Sequence, residues 1–168
     1  MKPPTPLNEH ARLDLMREYG VLDTPAEPVF DEIVQRAADV CQTPISLLAL
    51  VDRDRVWFKA NIGLDFSELP RDKSFCAYAI CQNELYLVPD LLADERFSRN
   101  PLVTQKPHLR FYAGMPLVSP EGLALGVLSV MDRKPRELTL EQTVKLKELS
   151  KGAVLLLEVR RAGERPSA

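Results

Sequence analysis

Glycine, cysteine and histidine are all scarce in this sequence, and each scarcity excludes some chemistry. Its 7 glycines assemble neither a GxGxxG nor a GxxxxGK[ST] pattern, so both common phosphate cradles are absent. The three cysteines, Cys41, Cys76 and Cys81, form no CxxC, and the two histidines, His10 and His108, lie far apart. A structural zinc site draws four such ligands in paired spacing, so neither zinc nor another cofactor is expected. Three cysteines are no disulfide framework and suit a reducing compartment. An excess of positive charge is missing too. Lys plus Arg number 22 against 24 Asp plus Glu, a net charge of −2, which gives no basic surface for nucleic acid. The longest apolar run, Ile45 to Val51, is interrupted by Ser46 and falls far short of the ~20 residues of a membrane helix. No basic-then-apolar leader opens the chain. A cytoplasmic protein that engages neither membrane nor nucleic acid is expected.

What is present reads as one ordinary globular domain. The 168 residues are 45% hydrophobic and 27% charged, and a core of this length buries roughly 70% of the unfolded surface without staples. Residues 1–7, with three prolines, form an extended arm; 8–161 form the domain; 162–168 form a tail. Asn8 opens a helix through Tyr19 that stops at Gly20. Phe30, Ile33, Val34, Ala37, Ala38 and Cys41 recur on one face of a second helix. Ile45 to Asp52 is a strand buried on both faces, and DRDR at 52–55 is a solvated hairpin tip. Val56 to Ile62 alternates, with Val56, Phe58 and Ala60 opposite Trp57, Lys59 and Asn61. A short helix from Ser74 to Cys81 and a short strand from Leu85 to Val88 follow. Residues 89–108 form a long polar connection, a length more often functional than inert. Leu109 to Val118 and Leu123 to Met131 make a hairpin around Ser119-Pro120-Glu121-Gly122. Thr139 and Gln142 have the spacing of a capping box that opens a final helix to about Arg161. Hairpins in the middle and helices at the ends predict an α+β domain, an antiparallel sheet with helices on one face.

The blocks LDTPAEPVFDEIVQRAADVC, ISLLALVDRDRVWFKANIGL, RDKSFCAYAI, VPDLLADERFSRNPLV and LRFYAGMPLVSPEGLALGVLSVMDRKPREL resemble, in order and spacing, a bacterial GAF domain. The resemblance covers residues 8 to 160 and is closest to domains found upstream of histidine kinases and diguanylate cyclases. It implies a central antiparallel sheet with the terminal helices on one face and a loop-covered pocket on the other. It further implies a non-catalytic sensory module that binds a small molecule, works as a homodimer and controls a kinase or cyclase output domain. Some subtypes are excluded by their signatures. The Asn-Lys…Phe…Asp-Glu pattern of cyclic-nucleotide binders is absent, and no Cys-His pair exists for bilin attachment. Methionine sulfoxide reductases of this fold place a cysteine where Cys76 stands, but their reactive cysteine lies in the long loop, where residues 89–108 have none.

On this division Val56, Phe58, Ala60, Phe111, Ala113, Met115 and Leu117 meet the helices, while Trp57, Lys59, Arg110 and Tyr112 face the pocket. The candidate ligand site is Arg110, Tyr112, Phe75, Cys76, Trp57 and Asp90. An inward Arg110 needs a partner, either Asp90 or Asp72 or a ligand anion. Phe75, Phe97 and Tyr112 are either a pocket wall or a satellite core beneath the loop. Cys76 is either a packed thiol or, at the first turn of its helix, the nucleophile of a thiol-dependent reductase. A third reading is a filled shell kept for dimerisation. The expected dimer seam runs along the last helix through Leu149, Ala153, Leu156 and Leu157, since AVLLL at 153–157 is apolar around more than one face.

Overall fold

The computed structural model describes residues 2–164. Helices α1 (Glu9–Tyr19) and α2 (Pro28–Cys41) precede strands β1 (Ile45–Val51), β2 (Arg55–Ile62) and β3 (Glu68–Pro70). A 3₁₀ turn (Arg71–Lys73), α3 (Cys76–Ala79), β4 (Tyr86–Val88) and α4 (Pro101–Thr104) come next. Strands β5 (Phe111–Val118) and β6 (Ala124–Asp132) and helix α5 (Leu140–Glu164) complete the chain. The six strands form one antiparallel sheet in the order β3-β2-β1-β6-β5-β4. Local signals act largely as read from sequence. Gly20 ends α1 in the left-handed region, and Gly122 closes the β5–β6 turn with its N–H on Ser119 O. The capping box is reciprocal: Thr139 N donates to Gln142 Oε1 and Gln142 N to Thr139 Oγ1. Asn8, in contrast, makes no side-chain cap.

Two cores lie on opposite faces of the sheet. The first holds α1, α2 and α5 against Leu48, Leu50, Phe111, Ala113, Met115, Leu117 and Leu128. At one end of the helical layer Gln142 Nε2 reaches Val40 O, and at the other Arg160 reaches Glu27, so α2 and α5 run antiparallel. The second core lies beneath α3, α4 and the long connection and includes Leu47, Phe58, Phe75, Cys76, Leu91, Phe97, Val103 and Tyr112.

Strand β2 corrects the expected faces. Leu48 pairs with Ala60 but Ala49 with Phe58, so Lys59 is the extra residue of a β-bulge. Val56 and Phe58 consequently face the α3 side, whereas Trp57 and Ala60 pack under the helices. Lys59 follows Trp57 to the helical side, where its Nζ lies 5.6 Å from the Phe30 ring centroid and bonds to Thr24 Oγ1 and Pro25 O. Trp57 is therefore no part of the loop-covered side. The final helix also runs past Arg161 to Glu164, and residues 165–168 of the expected tail lie outside the described residues.

Candidate functional site

On the loop-covered face the expected pocket is almost entirely occupied by the chain's own side chains. The space among Leu47, Phe58, Phe66, Phe75, Cys76 and Tyr112 has a cavity volume of about 20 Å³, room for no more than one water. The cause is local. Tyr112 and Gly114 share a face of β5, and a Cβ on Gly114 would collide with the Tyr112 hydroxyl, so glycine lets the phenol ring lie along the strand. Gly114 pairs with Ser129 of β6, and the Tyr112 hydroxyl sits 2.9 Å from Ser129 Oγ. It donates to Cys76 Sγ at 3.3 Å, and Cys76 Sγ is itself 3.5 Å from Ser129 Oγ. Three strand and helix residues thus satisfy one another inside an apolar shell.

Electrostatics follows from that burial. Desolvation pushes the Cys76 thiol up, against the hydrogen bonds from Tyr112 and Ser129 that pull the other way. Desolvation likewise raises Tyr112. The Cys76 N–H already donates to Ser74 Oγ, and α3 is four residues long, so no helix end activates the thiol. A buried, protonated sulfur packed against a phenol is a poor nucleophile.

Phe97 of the long connection joins rings from α3 and β5 in a satellite core. Phe75 meets Phe97 edge-on at 5.1 Å and Tyr112 at 5.4 Å, and Tyr78 meets Phe97 at 4.9 Å. Arg96 lies over the Phe97 and Tyr86 rings while pairing with Asp94 at 2.7 Å. Residues 89–108 also contain α4, whose N-cap Asn100 accepts from Leu102 N and precedes Pro101, a legible start signal inside what reads as a loop.

Of the six expected site residues, Phe75, Cys76 and Tyr112 meet around the small cavity and the others do not. Arg110 pairs with neither Asp72 nor Asp90. Its Nη1 donates to the Val103 and Leu109 carbonyls and so ties the end of α4 to the start of β5. Asp90 accepts from the Leu92 N–H and shapes the turn after β4. Trp57 lies on the opposite face of the sheet.

The expected dimer seam also needs correction. Ala153 and Leu157 are buried within the chain's own helical core, as is Val154, and Leu149 and Leu156 pack partly against it. The exposed large apolar residues of α5 are Leu140, Val144, Leu155 and Val159, with Leu155 at 67% and Val159 at 70% exposure. At 3.6 residues per turn these four fall within an arc of about 100°. Ala153 and Leu157 read as surplus in sequence because residues 153–157 are apolar all round, whereas in the structure the chain's own helical core covers them.

Sequence reasoning also missed an ion cluster linking the sheet to the end of α5. Glu27, before α2, contacts Lys59 Nζ at 2.5 Å and Arg160 at 3.2 Å. Arg161 meets Glu121 at 3.1 Å and Glu158 at 2.9 Å. Arg55 gathers Asp23, Asp52 and Glu68 at the hairpin end of the sheet. The bulge that lifts Lys59 out of alternation is the missing signal.

Six antiparallel strands with helices α1, α2 and α5 on one face and a short-helix cover on the other define an α+β fold. The GAF domain model matches residues 25–151, and the chain belongs to the GAF family. A cyclic di-GMP phosphodiesterase of Pseudomonas aeruginosa is 46% identical over 146 residues, covering 87% of this chain and 25% of that protein. The chain thus spans about a quarter of the length of that relative. The GAF domain of a phosphoenolpyruvate-protein phosphotransferase from Coxiella burnetii superposes with a TM-score of 0.69 at 16% identity, over 90% of this chain and 95% of that one. A free methionine-R-sulfoxide reductase from Neisseria meningitidis, solved with its substrate, gives 0.65 at 18% identity over 90% and 93%. These two likenesses concern the fold alone. No helix among the described residues is long and apolar enough to cross a membrane.

Proposed function

We propose that this chain is a non-catalytic regulatory GAF module whose inner pocket is filled by its own side chains. In this reading it acts through its helical face on a cyclic-dinucleotide enzyme. The observation that carries the proposal is the Tyr112–Cys76–Ser129 cluster, which leaves a cavity of about 20 Å³ in the inner space between the sheet and α3. Such a shell is a rigid platform for the helices rather than an open receptor. The nature of the output rests on the similarity to the Pseudomonas phosphodiesterase, which favours cyclic di-GMP turnover over a kinase.

The module works as a homodimer. Leu140, Val144, Leu155 and Val159 supply the seam, each gaining about 1.5–3 kcal/mol if fully buried. The Glu27 bridge between Lys59 and Arg160 transmits the state of the sheet to the end of α5. A thiol reductase using Cys76 has less support, because that thiol is buried and no cysteine lies in residues 89–108. The test is turnover. The chain alone is expected to hydrolyse no cyclic di-GMP with magnesium or manganese, and to reduce no free methionine sulfoxide with a thiol reductant. Reduction that disappears in Cys76→Ala would establish the enzyme instead.

A further inference from the structure

A second concavity lies outside the filled shell, and its chemistry is different. It has a volume of about 670 Å³, within the range of small-molecule sites. The loop after β2 supplies Leu64, Asp65 and Phe66, the segment before β5 supplies Lys106 and His108, and the end of β6 supplies Arg133. Most arginines near the sheet ends meet carboxylates, as Arg55, Arg71, Arg136 and Arg161 do. Among the described residues, Lys106, His108 and Arg133 make no ion pair or side-chain hydrogen bond. Asp65 is the one carboxylate among the lining residues, so positive charge predominates.

The walls are fixed by the backbone. The Asn61 side chain donates to Leu64 O at 2.8 Å and Phe66 O at 3.1 Å and accepts from Leu64 N. His108, with φ of 58°, is held by its N–H on Gln105 O at 2.7 Å, and Arg133 N donates to Asp132 Oδ1. Only side chains need move to receive a ligand, which lowers the ordering cost.

We propose that this cleft binds a phosphate ester carried on a ring. Arg133 takes two phosphate oxygens with its planar fork, Lys106 adds a point charge and His108 a ring N–H donor. Phe66 and Leu64 receive the ring. Both residues also line the small inner cavity, and the Phe66 ring lies 5.9 Å from Phe58 of β2, so an occupant presses directly on the core. The proposal does not depend on how the helical face acts.

Phenyl phosphate is the probe, with phenol and inorganic phosphate beside it, and backbone amide NMR shifts of the chain are the readout. Phenyl phosphate is expected to move Gly63–Phe66, Lys106, His108 and Arg133 saturably, and at least tenfold more tightly than either fragment. The double variant K106A/R133A, at exposed positions, is expected to weaken binding at least tenfold, while Arg53→Ala at the β1–β2 tip leaves it unchanged. Shifts confined to other residues, shifts reproduced by sodium chloride at equal ionic strength, or equal affinity for either fragment would each overturn the assignment.

Discussion

The hydroxyl of Tyr112 stands 2.9 Å from Oγ of Ser129, over the one position of β5 where a side chain would displace it, Gly114. Removing the hydroxyl alone, in Tyr112→Phe, takes a partner from both Ser129 and Cys76 and is expected to cost about 1–3 kcal/mol in urea unfolding. Tyr112→Ala opens the cavity and is expected to cost about 3–5 kcal/mol.

Gly114→Ala tests the same geometry from the other side. The new methyl strikes the Tyr112 hydroxyl, and the expected loss is about 1–3 kcal/mol. Because the phenol makes the nearest part of the clash, with Val127 Cγ1 making the rest, the double variant with Tyr112→Ala should be less destabilised than the two single losses summed. Simple additivity would mean that Tyr112 does not lie over Gly114.

Thiol accessibility provides a chemical test. Cys81 is exposed, whereas Cys41 and Cys76 are buried. Dithiobis(nitrobenzoate) at neutral pH is expected to titrate one thiol in the folded chain and the other two only on unfolding. Burial raises Cys76, and it pushes Cys41 up to about 11. The unfolded chain therefore releases these protons first, near pH 8.5, and stability is expected to fall as pH rises above that value. Melting temperatures that stay level from pH 8 to 10 would contradict it.

The Glu27 bridge has the opposite sign. The Lys59 hydrogen bond holds the Glu27 carboxyl below its ordinary value, with burial opposing. Its contribution is present above the unfolded pKa of about 4.3 and is lost as pH falls below it. Glu27→Gln is expected to lower the melting temperature at pH 7 and to shrink the further fall between pH 5 and pH 3. An unchanged acid limb would remove the bridge from the account.

On α5, Leu155→Glu and Val159→Glu are expected to halve the mass seen by light scattering at micromolar concentration while leaving the monomer folded. Leu157→Glu, which puts a carboxylate into a residue 1% exposed, should unfold the chain instead. A monomeric parent protein would end the dimer reading.

These outcomes also mark what the sequence revealed. Helix α2, the hairpin turn at Gly122 and the Thr139–Gln142 box are each set by neighbouring residues, and local pattern suffices to read them. Alternation placed Tyr112 and Phe111 on the correct faces because β5 and β6 stay in register from Phe111 to Leu117. It misplaced Trp57 because a bulge is a property of two strands, and nothing in VWFKAN alone announces that Lys59 drops out of register. Arg110 was legible as a cation needing acceptors, but one of them, the Val103 carbonyl, belongs to a helix hidden in a polar connection, and the other is the carbonyl of its own neighbour Leu109. The filled cavity was least legible, since a ring that lines a pocket and a ring that fills one are the same residue in sequence.

The most direct measurement is the melting temperature of the parent protein and of Tyr112→Ala with and without p-cresol, the small-molecule analogue of the tyrosine side chain. A ligand that binds only the folded state raises its stability. The parent is expected to be unmoved, its cavity already occupied by Tyr112, while the variant is stabilised in proportion to the logarithm of p-cresol concentration. Stabilisation of the parent, with none in the variant, would show an open receptor pocket and contradict the self-filled module.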